Sequence, residues 1–216
     1  MMQPKQSIND FVIKFANVNG TGSASANGMF AKAIFRMGIP VSPRNIFPSN
    51  IQGLPTWYEV RISRDGYLGR RGGIDMMVSV NPQSFAKDVG EVEPGGYMLY
   101  DSTKPLDLRH VRRDINYLGI PLTEMCLREY TDSRQRQLFK NVIYVGALAA
   151  LLNIDFSILK DLVSEQFKGK EKLITPNIHA LEWATNTRRP ILSARWAFTS
   201  KLGNRPPSIL KSSTTF

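Results

Sequence analysis

A short apolar run, Asp10 to Ala16 (DFVIKFA), stops at Asn17-Val18-Asn19-Gly20-Thr21-Gly22, and a helical pattern begins almost at once. Ala24, Ala26, Met29, Phe30, Ala33, Ile34 and Met37 recur at helical spacing, and Gly38 followed by Pro40 ends the pattern. A strand, a glycine loop and a helix in that order commit the chain to a βα unit, with the loop at the carboxyl end of the strand. Ser23 or Ser25 is expected to cap the helix. The glycines let backbone amides turn toward a ligand, and the helix start offers free N–H groups and partial positive charge. Phosphate or diphosphate is the ligand such an end prefers. The competing reading is a tight turn that uses small residues only for packing, and GxG by itself does not decide between them.

The remaining pattern extends the βα theme. Val41 to Phe47, Thr56 to Ser63 and Ile74 to Val80 read as strands, the last apolar enough to be central in a sheet. A short helix to Val89 follows Asn81-Pro82, Glu93-Pro94-Gly95-Gly96 reads as a turn, and Tyr97 to Tyr100 as another buried strand. Pro121 to Tyr130, Ser133 to Leu152, Phe156 to Phe167 and Glu171 to Thr185 read as helices, with Asn153 near a C-terminal end and Asp155 as an N-cap. The fold class is α/β: a mixed, largely parallel sheet with helices on both faces and a helical C-terminal layer. The helix Ser133 to Leu152 is expected to show an apolar face to partners, unless it is simply core.

Length and charge narrow the options. The 216 residues, 42% of them hydrophobic, suit one globular domain with an appendage and exclude wholesale disorder. The longest uncharged apolar run, Val142 to Leu152, falls short of the roughly 18 residues a membrane span needs, and no secretory signal is read in the first residues, so the expectation is a cytoplasmic chain with no membrane contact. A net charge of +10 raises nucleic acid as a partner. Arg188, Arg189, Arg195, Lys201, Arg205 and Lys211 supply six of those charges in a stretch with no acid after Glu182, so the expectation is no nucleic-acid partner. That stretch reads as a disordered end or a boundary artefact, with an arm for an acidic surface as the alternative. Cys126 is the lone cysteine, in an apolar helical stretch, and reads as a buried inert thiol; any iron–sulfur centre must belong to a partner.

Known phosphate readers can be tested against the loop. Gly28 is followed by Met29 and Phe30 where a P-loop needs Lys and Ser or Thr. A dinucleotide fingerprint needs an acid some 20 positions on, and Pro40 to Asn50 has none. Arg44 could read a 2′-phosphate, which leaves a stand-alone NADP-binding reductase as an alternative. A second cluster, Arg61, Arg64, Arg70 and Arg71 beside Trp57, Tyr58 and Tyr67, suits a phosphorylated adenine ligand or, equally, a solvated hairpin tip. Neither His110 nor His179 has a nucleophile or metal-ligand spacing around it, and Asp75, Asp88 and Asp101 read as caps and turn formers. No catalytic residue and no metal site is assigned.

Five strings in order, FANVNGTGSASANGMFAKAI, NIFPSNIQGLPTWYEVRIS, GYLGRRGGIDMMVSVN, KDVGEVEPGGYMLYDS and NVIYVGALAALLNID, resemble the gamma domain of 2-oxoacid:ferredoxin (acceptor) oxidoreductases from about Asp10 to Leu181. The closest likeness is to the form fused at the N-terminus of the alpha subunit in 2-oxoglutarate-type enzymes. The resemblance implies the gamma-domain fold for residues 10–187, flanked by an arm over 1–9 and a basic tail over 188–216. It implies oxidative decarboxylation of a 2-oxoacid, with 2-oxoglutarate favoured, to an acyl-CoA. Thiamine diphosphate and iron–sulfur clusters would sit only in partner domains or subunits. The implied partners are the thiamine-binding alpha domain, the beta subunit and, through the complex, ferredoxin. The glycine loop carries over to a coenzyme A site made by Asn19, Gly20, Thr21, Gly22, Ser23, Ser25 and Asn27; Arg70 and Arg71 are added on charge alone. After Trp183 nothing matches the continuation of the fused subunits, which implies no turnover by this chain alone.

Overall fold

The computed structural model describes residues 7–18, 20–47, 55–186 and 198–199. The elements are β1 (Ser7–Ile8), β2 (Asp10–Val18), α1 (Ser23–Arg36), β3 (Val41–Ile46), β4 (Pro55–Ser63), β5 (Ile74–Ser79), α2 (Phe85–Glu91), β6 (Val92–Asp101), a 3-10 turn (Leu108–His110), β7 (Asn116–Ile120), α3 (Leu122–Glu129), α4 (Ser133–Leu151), α5 (Phe156–Gln166), α6 (Glu171–Asn186) and β8 (Phe198–Thr199). The basic tail expected over 188–216 lies outside the described residues apart from β8, which pairs in parallel with β1. Among the described residues no helix is long and apolar enough to cross a membrane.

The main sheet has the order β3-β4-β2-β5-β6-β7. β2, β5, β6 and β7 run parallel, while β4 lies antiparallel between β2 and β3. The sheet is thus mixed and largely parallel, as the alternation of strand and helix patterns indicates.

Alternation along β2 sends Phe11, Ile13 and Phe15 to one face and Val12, Lys14 and Ala16 to the other. The first face is covered by α1 and α4, with α3, α5 and α6 completing the core cluster. Phe15 meets Phe30 of α1 edge-on at 5.3 Å between centroids and Tyr144 of α4 at 5.9 Å. Burying such an aromatic contributes about 2 to 3 kcal/mol. Every residue from Asn141 to Ala149 is buried, so the reading of this helix as a partner-facing surface is corrected: its second half is core, and only its first turns are exposed. Gly146 lets α6 approach, because a Cβ there would run into the backbone of Leu181.

The second face is covered by α2 and carries a polar centre. Asp88, with no exposed surface, accepts hydrogen bonds from Trp57 Nε1, Ser79 Oγ and Ser84 Oγ, each at 2.8 Å. Burial pushes its carboxyl pKa up and the three donors pull it back, leaving it above the ordinary value. Asp88 therefore ties strand to helix, a larger role than the cap the sequence suggests. Lys14 pairs with Glu91 and stands 5.4 Å from the Trp57 ring centroid, with Lys87 at 4.0 Å from the same ring.

One element departs from expectation. Glu93-Pro94-Gly95-Gly96 is the first half of β6, not a turn, and the pairing with β5 shifts register between Ile74 and Met76. Gly95 has φ 79°, and a Cβ on Gly96 would stand 2.8 Å from the Glu93 carbonyl oxygen, so glycines here serve a bulge inside a strand.

We expect Gly146→Val to cost about 2 kcal/mol or more by overpacking α4 against α6. Urea unfolding of the variant beside the parent chain measures this, with the midpoint falling and the slope unchanged.

Candidate functional site

The loop after β2 is shaped by two left-handed glycines, Gly20 (φ 79°) and Gly22 (φ 80°). Glycine holds that conformation most easily, and at Gly22 the Leu138 side chain leaves a Cβ no room besides. Gly22 itself is the N-cap of α1 and makes no side-chain cap, and Ser23 is the first helical residue. The expected serine cap is therefore replaced. A side-chain cap would occupy an amide; its absence leaves the amino-terminal amides of a 14-residue helix without a capping side chain.

Long-range contacts from α4 hold this loop. Asn141 Nδ2 donates to the carbonyl of Thr21 at 2.7 Å and to that of Gln137 at 3.2 Å. The Leu138 side chain lies where a Cβ on Gly22 would point. Six residues further along α4, the Tyr144 hydroxyl donates to Asn27 Oδ1 at 2.7 Å in the dry core. Burial pushes the Tyr144 phenol well above its ordinary value, so it stays a neutral donor. Ser25 Oγ accepts from Gln166 Nε2 of α5 at 2.8 Å.

Gly20, Thr21, Gly22, Ser23, Ser25 and Asn27 are thus brought together at the start of α1, with Gly20 exposed and Asn27 fully buried as a tie to α4. Asn19 lies outside the described residues. Arg70 and Arg71 are not brought to this site. They precede β5, next to the start of β2, where Arg71 pairs with Asp75, and Asp75 Oδ2 accepts from the Val12 amide at 2.8 Å. The length of β2, about 26 Å at 3.3 Å per residue, separates them from the loop. Arg61 pairs with Asp10 at that same far end.

The NADP reading also fails on placement. Arg44 sits on β3, with antiparallel β4 between it and β2, and it pairs with Glu59 at 2.8 Å. Glu59 is in register with Lys14, whose partner is Glu91 of α2, so Arg44 faces the side of the sheet opposite α1. The inserted β4 separates the strand after α1 from β2, so Arg44 does not stand beside the loop.

The carboxyl edge of the sheet adds residues that sequence reasoning missed. The chain leaves β2 for α1 on one face and leaves β5 for α2 on the other, which makes the space between these strand ends the crossover crevice where open α/β sheets bind ligands. Asn17 and Asn81 flank it, 3% and 2% exposed, and Asn17 Oδ1 and Asn81 Nδ2 have no hydrogen-bond partner. Buried polar atoms are nearly always paired, so these two make the crevice the candidate position for a polar ligand. Short amides at the ends of two neighbouring strands were the available signal. Next along the edge, Asp101 accepts from Thr103 Oγ at 2.6 Å, from the Thr123 amide at 3.2 Å, from the Thr123 hydroxyl, and from Lys140 Nζ at 3.2 Å. Burial raises its pKa, but the Thr103 and Thr123 donors and the Lys140 charge outweigh that and hold it below the ordinary carboxylate value.

Cys126 is buried and its thiol is pushed up to about 11 by burial, which makes it a poor nucleophile. Among the described residues no group of three His, Cys, Asp or Glu side chains could hold a metal ion.

Two stability outcomes follow from this geometry. Gly22→Ala should cost about 2 kcal/mol, since it forces a left-handed alanine against Leu138, whereas Gly20→Asn, with open space at its Cβ, should stay within about 1 kcal/mol of the parent in denaturant titrations. Because Asp101 ionises more readily folded than unfolded, its stabilisation is present above the unfolded carboxylate value of about 3.9 and disappears as pH falls below it. The stability gap between the parent and Asp101→Asn should accordingly narrow as the medium is acidified from about pH 5 to about pH 3.

Residues 12–187 match the family described as pyruvate ferredoxin/flavodoxin oxidoreductase. Subunit alpha of 2-oxoacid:ferredoxin oxidoreductase 2 from Aeropyrum pernix is 23% identical over 214 residues, covering 82% of this chain and 33% of the relative. The 2-oxoglutarate synthase subunit KorC from Archaeoglobus fulgidus is 25% identical over 162 residues, covering 74% of this chain and 80% of the relative. Among solved structures, the 2-oxoglutarate:ferredoxin oxidoreductase from Magnetococcus marinus, with 2-oxoglutarate, coenzyme A and succinyl-CoA bound, superposes with a TM-score of 0.80 at 23% identity, over 92% of this chain and 34% of that one. The chain therefore spans about a third of the Aeropyrum and Magnetococcus polypeptides and most of KorC.

Proposed function

The chain belongs to the pyruvate ferredoxin/flavodoxin oxidoreductase family, and on that premise we propose that residues 10–187 act as the gamma domain of a 2-oxoacid:ferredoxin oxidoreductase, seating coenzyme A for transfer of the acyl group. The observation that carries this reading is the uncapped start of α1, framed by left-handed Gly20 and Gly22 beside the unpaired Asn17 and Asn81 amide atoms. Coenzyme A presents a diphosphate, and backbone N–H groups at a helix start satisfy its oxygens while the helix dipole favours its charge. Gly20, Thr21, Gly22 and Ser23 would line that seat. Ser25 and Asn27 serve it from behind by fastening α1 to α5 and α4.

The residues do not suit the family's redox centres. One cysteine in the whole sequence, itself buried, cannot ligate an iron–sulfur cluster. Thiamine diphosphate chemistry and electron transfer to ferredoxin accordingly belong to the thiamine-binding alpha domain and the beta subunit with which this chain assembles. The substrate of the complex is a 2-oxoacid, with 2-oxoglutarate first among candidates, since KorC and the Magnetococcus enzyme are both named for it.

The test is a calorimetric titration of the full chain with coenzyme A, with NADPH and NADP⁺ in parallel, on the parent, Gly20→Asn and Gly20→Asp. Asparagine and aspartate have the same shape and both tolerate the left-handed backbone, so they differ in charge alone. Coenzyme A should bind the parent and the Asn variant alike and bind the Asp variant at least about tenfold more weakly. Binding of NADP(H) with no heat from coenzyme A would overturn the assignment.

A further inference from the structure

α1 and α4 run side by side in the same direction, because the loop at the start of α1 meets Leu138 and Asn141 while Asn27, further into α1, meets Tyr144, further along α4. α4 starts at Ser133, five residues before the one that touches Gly22. At 1.5 Å per residue its first turns stand roughly 7 Å beyond the glycine loop. They flank the space into which the uncapped α1 amides point.

The face of α4 turned to the loop is set by Leu138 and Asn141, and Arg134 continues it one turn earlier. The other cations of this helix are engaged: Lys140 Nζ reaches Asp101 at 3.2 Å and the Thr123 hydroxyl at 2.5 Å, and Arg136 donates to the Thr131 carbonyl at 2.7 Å. Arg134 is exposed and has no ion pair or hydrogen bond among the described residues. The nearest carboxylate in sequence, Asp132, accepts from the Gln135 amide at 2.8 Å as the cap of α4. Leu138 is 51% exposed although it lies against Gly22, leaving an apolar patch between the amides and the arginine.

Resting on the coenzyme A reading above, we propose that the first turns of α4 form the second wall of the ligand site, with Arg134 binding a phosphate of the ligand and Leu138 packing beneath its apolar part. Asn17 Oδ1 and Asn81 Nδ2, buried and unpaired at the strand ends below, are the independent sign that this crevice receives a polar ligand. A guanidinium suits this role because its planar fork matches phosphate oxygens two at a time, which a lysine can replace in charge but not in geometry. Arg134 is thus a binding residue that selects for the number and placement of phosphates.

The experiment titrates the full chain and its Arg134→Gln, Arg134→Lys and Gly20→Asp variants with coenzyme A and with dephospho-coenzyme A, at low and at physiological salt. Arg134→Gln should weaken coenzyme A at least about tenfold, and Arg134→Lys by less, with a smaller salt dependence in the Gln variant. If dephospho-coenzyme A loses as much from Arg134→Gln as coenzyme A does, the arginine reads the diphosphate. If dephospho-coenzyme A is indifferent to the change, the arginine reads the 3′-phosphate, and either result supports the proposal. Equal coenzyme A affinity in the parent and Arg134→Gln, with Gly20→Asp impaired, would overturn the proposal and leave the loop assignment standing. Failure of the parent to bind coenzyme A would overturn the loop assignment and this inference together.

Discussion

The single hydrogen bond from Asn141 Nδ2 to the Thr21 carbonyl, with Leu138 resting on Gly22, is the contact on which the rest of the site depends. A loop with two left-handed glycines has many conformations when unsupported, and ordering it costs on the order of 1 to 2 kcal/mol per residue. α4 holds one of them. The same helix supplies Tyr144 to Asn27 and the apolar run that fills the core beneath, so loop geometry and core packing are fixed by one rigid element. A seat for phosphate works only when its amides are already in place, because any ordering left to the ligand is subtracted from its affinity.

The sheet order explains why the site lies where it does. β2 and β5 send their following helices to opposite faces, which opens a crevice at their carboxyl ends, where Asn17 Oδ1 and Asn81 Nδ2 have no hydrogen-bond partner. The opposite end of the sheet is closed instead by paired charges, Arg61 with Asp10 and Arg71 with Asp75. Both ends are polar, and the buried amide atoms left unpaired lie at the carboxyl end of β2 and just past that of β5. On the second face Lys14 is paired with Glu91, and Asp88 with Trp57 and two serines.

What the sequence revealed was what is local. The strand–loop–helix start was legible because DFVIKFA, two glycines and a helical apolar pattern are each short-range signals, and Asp155 was legible as a cap, accepting from the Ser157 amide at 2.9 Å. Asn153 was recognisable as a helix end, and its φ of 55° bears that out. The bulged start of β6 was not legible, because EPGG carries turn chemistry and only pairing with β5 makes it a strand. The clamp on the loop was hidden for the same reason: Asn141 lies 120 residues from Thr21, and nothing in LFKNVIY announces which backbone carbonyl its amide will meet. Arg44 and Arg71 looked suitable by charge, and the topology placed Arg44 on the face opposite α1 and Arg71 at the end of β2 opposite the glycine loop. The ordered resemblance of five strings reached the family where spacing alone left two ligands open.

The central claim is that a preformed loop, held by α4, receives the diphosphate of coenzyme A. Hydrogen–deuterium exchange of the full chain with and without coenzyme A tests it most directly, since bound oxygens protect the amides they accept from. The account predicts slowed exchange at residues 20–25 and in the first turns of α4, with no change across residues 64–73. Protection confined to residues 64–73, with the glycine loop exchanging as freely as before, would contradict it.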